Sequence, residues 1–196
     1  DICSTQLQTF ADPAVLPVNP QPDEPATSSE ADRDSATALL ASAGLVGSEG
    51  RVNFSPTILV NSENTFKVSA AQAIADALLV IGIRATVEAV PFEEYTARLA
   101  SGNFEILYGE LRMTPDFDLR SLIATGGVLN YGRYSNIDTD YLIEQARAQG
   151  TDEAKQALYT QLLSEMPIVP IALIRDQVAV RSNLMTGFNP SPNWLF

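Results

Sequence analysis

The sequence contains no histidine, and this absence excludes more kinds of site than any other feature of its composition. Ser–His–Asp and Cys–His catalysis, histidine-based zinc sites and the usual histidine pH switch all need an imidazole. Cysteine is nearly absent as well: Cys3 is the single one, so no disulfide forms within the chain. A lone cysteine gives little information about the redox compartment.

Long apolar runs and an excess of positive charge are also missing. No apolar segment approaches the roughly 20 residues that a membrane-spanning helix needs. The 12 Lys and Arg residues are outnumbered by 24 Asp and Glu residues, which gives a formal net charge of −12. This charge argues against nucleic acid and against an anionic membrane surface as partners. Solubility explains the charge most simply, and steering of a cationic ligand is the alternative.

The middle of the chain has the clearest pattern, because strand-like and helix-like periodicities alternate there. Strands joined by helices of this length pair in parallel, with right-handed crossovers. We therefore predict an α/β fold with a parallel-rich sheet and flanking helices. The predicted strands are Pro56–Asn61, Arg84–Val90 and Phe104–Tyr108, and the predicted helices are Phe66–Ile81 and Phe92–Ala100.

The first of these helices has apolar residues at steps of three and four, so one face is predicted to pack on the sheet. Gly82 follows the helix, where a residue able to adopt positive φ is favoured. The predicted face consists of Phe66, Ala70, Ile74, Ala77, Leu78 and Ile81.

Further elements are predicted on both sides of this core from caps, prolines and glycines. On the amino-terminal side they are a helix over residues 1–10, an extended proline-rich segment over residues 11–22, an acidic loop over residues 23–30, and a helix from Asp32 or Asp34 to Ala43. On the carboxyl-terminal side they are helices capped by Asp138 and Thr151, and strands at residues 168–174 and 177–181 around a turn at Arg175 and Asp176.

Six segments, in a fixed order along most of the chain, carry motifs that together resemble one protein family. The segment from Tyr95, for example, is similar to the motif Y-x-x-x-L-x-x-G-x-F-D. The segments are Ile2–Pro20, Asp34–Leu45, Ala73–Val87, Glu94–Ile106, Tyr134–Ala146 and Met166–Ile171. They resemble family 5 extracellular solute-binding proteins, which are the peptide- and nickel-binding components of ABC importers.

The resemblance implies a lobe of the type II periplasmic-binding-protein fold. Residues 1–196 are then a single α/β lobe, the second of a longer two-lobed protein, with residues 1–55 packed on a core of residues 56–181. It implies no catalysis, cofactor or metal, and an extracytoplasmic location, although residues 1–7 do not have the pattern of a secretory signal. Cys3 is not expected to carry a lipid; a lipid anchor on the full-length protein is the expected membrane link.

The function implied by the resemblance is capture of a solute, an oligopeptide in the first instance, by a monomer that delivers it to ABC transporter permease subunits. A non-peptide solute, such as a nickel chelate, an opine or a sugar, is an alternative. A sensor or scaffold that keeps the fold without transport is another, because fold does not determine function. An enzyme with paired carboxylates, Glu93 with Glu94 or Asp116 with Asp118, is disfavoured because these acids occupy ordinary helix-start and loop positions.

The resemblance places the ligand contacts of this lobe in the segment from Tyr108 to Asp118. Peptide-binding relatives have an aspartate for the ligand's amino group at the position of Leu111, so Glu110 or Asp116 would have to replace it. Arg112 and, beyond this segment, Arg133 suit a ligand carboxylate, and Tyr108 and Tyr131 suit the wall of a cleft. For each of these residues, a structural or solvent-exposed position without ligand contact remains the alternative. The predicted ligand-binding residues are Tyr108, Glu110, Arg112, Asp116, Tyr131 and Arg133.

Overall fold

The computed structural model describes residues 11–14, 32–112 and 118–174. Helices and strands alternate through most of this part of the chain, as the sequence predicts. The helices are α1 (Arg33–Ser42), α2 (Thr65–Val80), α3 (Phe92–Ser101), α4 (Arg120–Ile123), α5 (Ile137–Gln149) and α6 (Asp152–Glu165). The strands are β1 (Ala11–Pro13), β2 (Thr57–Asn61), β3 (Thr86–Val90), β4 (Ile106–Leu107) and β5 (Ala172–Ile174).

A three-stranded parallel sheet in the order β3–β2–β4 forms the centre of the fold. Ile58 on the central strand β2 pairs with Val87 on one side and Ile106 on the other. Ile58, Leu59 and Val60 have no exposed surface, as expected for a strand covered on both faces. The parallel α/β fold predicted from the sequence is therefore confirmed.

Strand β4 is shorter than predicted, because its ladder includes two residues rather than the whole of Phe104–Tyr108. The backbone N–H of Tyr108 still donates to the carbonyl oxygen of Leu59 at 3.0 Å. The chain therefore stays beside β2 for one residue beyond β4 before it leaves the sheet.

Helix α2 packs on the sheet through alanines, with a face that differs in part from the predicted one. Ala71 and Ala75 are buried against Ile58 and Val60, whereas Ala77, which was predicted to face the sheet, is exposed. The prediction for Ala77 is wrong because several apolar rows fit this alanine-rich helix equally well. Because alanine side chains are small, the helix axis can lie close to the sheet, and the row that contains Ala71 and Ala75 packs on it.

A second apolar cluster lies among α4, α5 and α6. It contains Leu119, Ile123, Ile143, Leu158 and Leu162. The two long helices of this cluster are joined by a tight turn, in which Gly150 has φ 63° and the Thr151 side chain accepts a hydrogen bond from the Ala154 N–H, as predicted.

The cap of α5 differs from the prediction, because Asn136 rather than Asp138 occupies that position. The side-chain oxygen of Asn136 accepts hydrogen bonds from the N–H groups of Asp138 and Thr139 at 2.9 and 3.1 Å. Asp138 instead lies in the first turn, where a negative charge interacts favourably with the helix dipole. The prediction missed the cap because both residue types suit it and they stand two positions apart.

The ends of the described chain meet in a two-stranded antiparallel pair. Residue Ala11 of β1 pairs with Ile174 of β5, and the N–H of Ala14 donates to the carbonyl oxygen of Ile171 at 3.3 Å. Part of the extended proline-rich segment is thus a strand. The strand predicted at residues 168–174 includes only Ala172–Ile174 in the structure. The predicted helix at 1–10, loop at 23–30, turn at 175–176 and strand at 177–181 lie outside the described residues.

Helix α3 is tied to the neighbouring strand by a two-point ion pair. The Arg98 guanidinium lies 2.7 and 2.9 Å from the two carboxylate oxygens of Glu88, and this hydrogen bonding lowers the pKa of Glu88. The Nε of Arg98 also donates to the carbonyl oxygen of Asn103 at 3.0 Å. The pair therefore holds α3 and the turn before β4 against β3. Within the described ranges, no helix is long and apolar enough to cross a membrane.

Candidate ligand-binding edge

The strands β2, β3 and β4 are parallel, so the segments that follow them leave the sheet at one edge. We call this the carboxyl edge and define it as residues Asn61–Lys67, Pro91–Tyr95 and Tyr108–Arg112. In open parallel sheets, ligands bind outside the carboxyl ends of the strands. The carboxyl edge is therefore the first place to look for a binding site.

The turn between β2 and α2 is held by its own polar side chains. The side-chain oxygen of Asn61 accepts from the N–H of Glu63 at 3.0 Å, and that of Asn64 accepts from the N–H of Lys67 at 3.2 Å, which caps α2. The carboxylate of Glu63 accepts from the Phe92 N–H at 3.2 Å. Because Pro91 has no side chain that can cap α3, Glu63 supplies the acceptor from another element.

An ion pair connects the first turn of α2 to the segment that follows β4. The Nζ of Lys67 lies 3.0 Å from Oε2 of Glu110. The Lys67 side chain retains 22% of its surface and that of Glu110 retains 53%. The pair thus holds the predicted ligand residue Glu110 while about half of its side chain stays exposed.

A tyrosine on α3 supports the same segment from the other side. The hydroxyl of Tyr95 donates to the carbonyl oxygen of Tyr108 at 3.3 Å. A Cβ atom at Gly109 would lie 2.9 Å from that hydroxyl, so glycine allows the close approach. Burial, and secondly the nearby Tyr131, raise the pKa of Tyr95, so its hydroxyl stays protonated and able to donate. Tyr95 and Tyr108 therefore meet within the carboxyl edge, and Tyr131 is near enough to Tyr95 to influence its pKa.

Replacing Tyr95 by phenylalanine is expected to lower the free energy of unfolding by about 1 kcal/mol, because a part-buried hydrogen bond is lost. Replacing Gly109 by alanine is expected to cost at least as much, since the added methyl group displaces the same hydroxyl. The double variant should be less destabilised than the sum of the two, because both changes remove one contact. Urea unfolding of the four proteins measures this cycle, and additive losses would contradict the shared contact.

Arg133 lies away from the carboxyl edge, at the opposite end of α3. Its guanidinium donates to the carbonyl oxygen of Ser101 at 3.2 Å and lies over Gly102, where a Cβ would be 3.1 Å from Nη2. A cation at a helix C-terminus stabilises the last carbonyl groups. A ligand role for Arg133 stays a prediction that this contact does not support.

The other predicted site residues fall into three groups. Tyr108, Glu110 and Arg112 belong to the carboxyl edge, and Tyr131 is close to Tyr95. Asp116 lies outside the described residues. Sequence reasoning missed Lys67, Tyr95 and Glu63 as parts of this edge. Tyr95 stands in a quoted motif, but no signal in the sequence pairs Lys67 with a residue that follows a different strand.

The carboxylate pairs considered for catalysis have ordinary surroundings where the structure describes them. Glu93 is exposed, Glu94 lies 3.9 Å from Arg98, and Asp118 accepts a hydrogen bond from the Arg120 N–H at 2.9 Å. Within residues 11–14, 32–112 and 118–174, no group of three or more His, Cys, Asp or Glu side chains is placed to hold a metal ion.

A concave surface of about 480 Å³ lies between α4 and α5, and none of its lining residues belongs to the carboxyl edge. Its acidic members are engaged locally: Asp140 accepts from the Thr125 N–H at 2.8 Å, and Glu144 lies 3.9 Å from Arg120. Asp140 and Glu144 therefore already have partners within the protein at this concave surface. Its lining residues are Asp118, Arg120, Ser121, Ala124, Thr125, Gly126, Gly127, Val128, Asp140 and Glu144.

Comparison with known proteins gives a consistent family and fold. The sequence matches the family described as bacterial extracellular solute-binding proteins, family 5 Middle, over residues 3–122, which is more than half of the chain. A comparison with curated proteins gives no match.

Solved structures similar to this chain share its fold. The oligopeptide-binding protein AppA from Bacillus subtilis, in complex with a nonapeptide, is 20% identical with a TM-score of 0.73, over 87% of this chain and 38% of that one. DppA from Helicobacter pylori, in complex with the peptide STSA, is 25% identical with a TM-score of 0.69, over 88% and 35%. NikA from Staphylococcus aureus, in complex with Ni(L-His)2, is 18% identical with a TM-score of 0.73, over 87% and 38%.

The predicted periplasmic-binding-protein-like fold is therefore confirmed. The chain spans little more than a third of the length of the solved structures it matches.

Proposed function

Because this chain belongs to the family 5 bacterial extracellular solute-binding proteins, we propose that it is the second lobe of a protein that captures a small peptide for an ABC importer. The family match over residues 3–122 is the observation that carries this proposal. The carboxyl edge supports it, because Tyr108 and Glu110 extend from the end of a parallel strand, where such sheets bind ligands.

This lobe is proposed to form one wall of the binding cleft, and the other lobe of the full-length protein forms the opposite wall. The carboxyl edge is a surface with exposed Glu110 and Arg112, and it offers contacts from one side. The other lobe of the full-length protein, when it closes over the ligand, would supply the opposite side of the cleft and exclude water. The working unit is accordingly the protein in its natural full length, as an extracytoplasmic monomer that meets permease subunits.

The ligand class is proposed as peptide, with Glu110 or Asp116 as acceptor for a ligand ammonium. The solved structures similar to this chain contain different ligands: a nonapeptide in AppA, Ni(L-His)2 in NikA, and mannohexaose in a protein from Thermotoga maritima. The shared fold therefore accommodates several ligand classes, and a non-peptide solute is the second candidate. Glu110, whose side chain is half-exposed, supports a ligand that carries a positive group.

Catalysis forms no part of this proposal. The chain has no histidine, and those of the considered carboxylates that the structure describes, Glu93, Glu94 and Asp118, are solvated or engaged in local contacts. A sensor or scaffold with the same fold is the remaining alternative. Such a protein would not deliver a solute to a transporter.

Native mass spectrometry of the natural full-length protein, purified without denaturation, tests the proposal. We expect a mixture of bound masses that match short peptides, because a peptide-binding cleft purifies with what it has captured. The mixture should diminish in Glu110→Gln. A single bound mass that is not a peptide would replace the peptide class with another solute. A protein that is empty and also ignores added peptide pools would contradict solute capture and favour the sensor.

A further inference from the structure

Three contacts join the three segments of the carboxyl edge in pairs. The carboxylate of Glu63, which follows β2, accepts a hydrogen bond from the N–H of Phe92, which follows β3. One turn further along α3, the hydroxyl of Tyr95 donates to the carbonyl oxygen of Tyr108, which follows β4. The third contact is the ion pair between α2 and the segment after β4. The contacts form a closed ring, in which each segment is held by both of the others.

Glu63 is itself held in place by the turn after β2. Its N–H donates to the side-chain oxygen of Asn61 at 3.0 Å. The neighbouring Ser62 N–H donates to the carbonyl oxygen of Val90, at the end of β3, at 2.8 Å. These bonds place the turn beside the start of α3. Because the turn is already ordered, the contact of Glu63 with α3 costs little further conformational entropy.

The start of α3 needs a hydrogen-bond acceptor from outside the helix. The first N–H groups of a helix have no intrahelical partner, and Pro91, at the cap position, has no side-chain acceptor. Glu63 supplies one at 3.2 Å from the Phe92 nitrogen, and its negative charge interacts favourably with the helix dipole. Glu63 therefore helps to determine where the first turn of α3 lies.

The first turn of α3 connects this position to the segment after β4. Phe92 and Tyr95 are three positions apart, so they lie on the same side of the helix within one turn. The Tyr95 hydroxyl comes within 3.3 Å of the Tyr108 carbonyl oxygen, and Gly109 allows this approach because a Cβ there would lie 2.9 Å from the hydroxyl. A shift of α3 would therefore disturb the contact that supports the proposed ligand-binding segment.

We propose that Glu63 is a positioning residue for ligand binding. It holds α3 and, through Tyr95, keeps Tyr108 and Glu110 in the geometry that the ligand meets, without contacting the ligand itself. This inference rests on the proposed solute-binding function and assigns a role in binding to a residue that follows a different strand. Ligand affinity then depends on a hydrogen-bond acceptor at position 63 rather than on the charge there.

Affinity for defined peptides tests the inference on the natural full-length protein. The probe is an equimolar pool of Ala-Xaa-Ala tripeptides with every standard amino acid at the middle position, and titration calorimetry gives the Kd of the member that binds best. Glu63→Ala should weaken this affinity about fivefold, as expected for the loss of one hydrogen bond. Glu63→Gln should keep it within about twofold, because its amide oxygen can still accept from the Phe92 N–H.

Thr151→Ala is the matched control, because the Thr151 side chain caps α6 by accepting from the Ala154 N–H at 3.3 Å, outside the carboxyl edge. It should lower the melting temperature as Glu63→Ala does while leaving peptide affinity unchanged. Hydrogen exchange of the Tyr108 amide, which donates to the carbonyl oxygen of Leu59, gives a second readout that needs no ligand. This exchange should be about fivefold faster in Glu63→Ala and stay close to the wild-type rate in Thr151→Ala.

Three results would overturn the inference and leave solute capture standing. Equal losses of affinity in Glu63→Ala and Glu63→Gln would mean that the ligand meets the charge of Glu63 directly. Equal effects of Glu63→Ala and Thr151→Ala on affinity or exchange would mean that only overall stability matters. Unchanged affinity and exchange in Glu63→Ala would mean that the segment after β4 keeps its place without this contact. A wild-type protein that binds no member of the pool would contradict the proposed function and this inference together.

Discussion

Replacing Ile58 by alanine is expected to lower the free energy of unfolding by about 3–5 kcal/mol. Ile58 has no exposed surface and pairs with strand neighbours on both sides, Val87 and Ile106. The helix packed over it presents Ala71 and Ala75, which have no side chain long enough to fill the cavity. A cavity that cannot collapse makes such a truncation costly, so this change belongs at the upper end of the usual range.

Ile137→Ala is the matched control for this prediction. It removes the same atoms from a side chain that is 83% exposed, at the start of α5. We expect a change within about 0.5 kcal/mol, as for other surface substitutions. Urea unfolding followed by circular dichroism measures both variants. Equal losses for Ile58→Ala and Ile137→Ala would show that the sheet is not the stabilising core.

Replacing Asn130 by alanine is the second large change, with an expected loss of about 2–4 kcal/mol. The Asn130 amide donates to the carbonyl oxygens of Ala124 and Tyr134 at 3.0 and 2.7 Å and accepts from the Tyr134 N–H at 3.0 Å. Alanine removes all three hydrogen bonds and leaves part-buried backbone groups without a partner, and each such bond contributes about 1 kcal/mol. The segment between α4 and α5 is therefore expected to lose its fixed shape.

The consequence for the site is a weaker placement of Tyr131, which follows Asn130 directly and lies near Tyr95. Asn103→Ala is a suitable comparison, because Asn103 is exposed and the Arg98 contact uses its backbone carbonyl. Urea unfolding and ligand affinity of the natural full-length protein should both fall in Asn130→Ala and change little in Asn103→Ala. Unchanged stability in Asn130→Ala would mean that the segment is held by its backbone hydrogen bonds alone.

The regular elements were predictable because their signals are local. Apolar periodicity located β2, α2, β3 and α3, and a threonine followed by acidic residues located the start of α6. Local signals failed where two readings were equally good. The alanines of α2 allow more than one buried row, so Ala77 was assigned to the wrong face. Asn136 and Asp138 are both good caps, so the start of α5 was shifted by two residues.

The candidate site was predictable in part, since the resemblance pointed to the segment after β4 and the structure places Tyr108 and Glu110 at the carboxyl edge. Its supports were not predictable. Lys67 meets Glu110 across 43 positions of sequence, and Glu63 reaches the Phe92 N–H across 29. Nothing in the local pattern around either residue indicates such a partner.

By itself, the amino-acid sequence determined the family, the parallel α/β order and the absence of histidine chemistry, because these depend on residue types and on short-range periodicity. Tertiary structure alone decided which face of α2 is buried, that Lys67 pairs with Glu110, and that Arg133 contacts the end of α3 rather than the carboxyl edge. Those outcomes are set by packing and by charges brought together from distant parts of the chain, where the geometry of the folded sheet, and no local rule, chooses the partner.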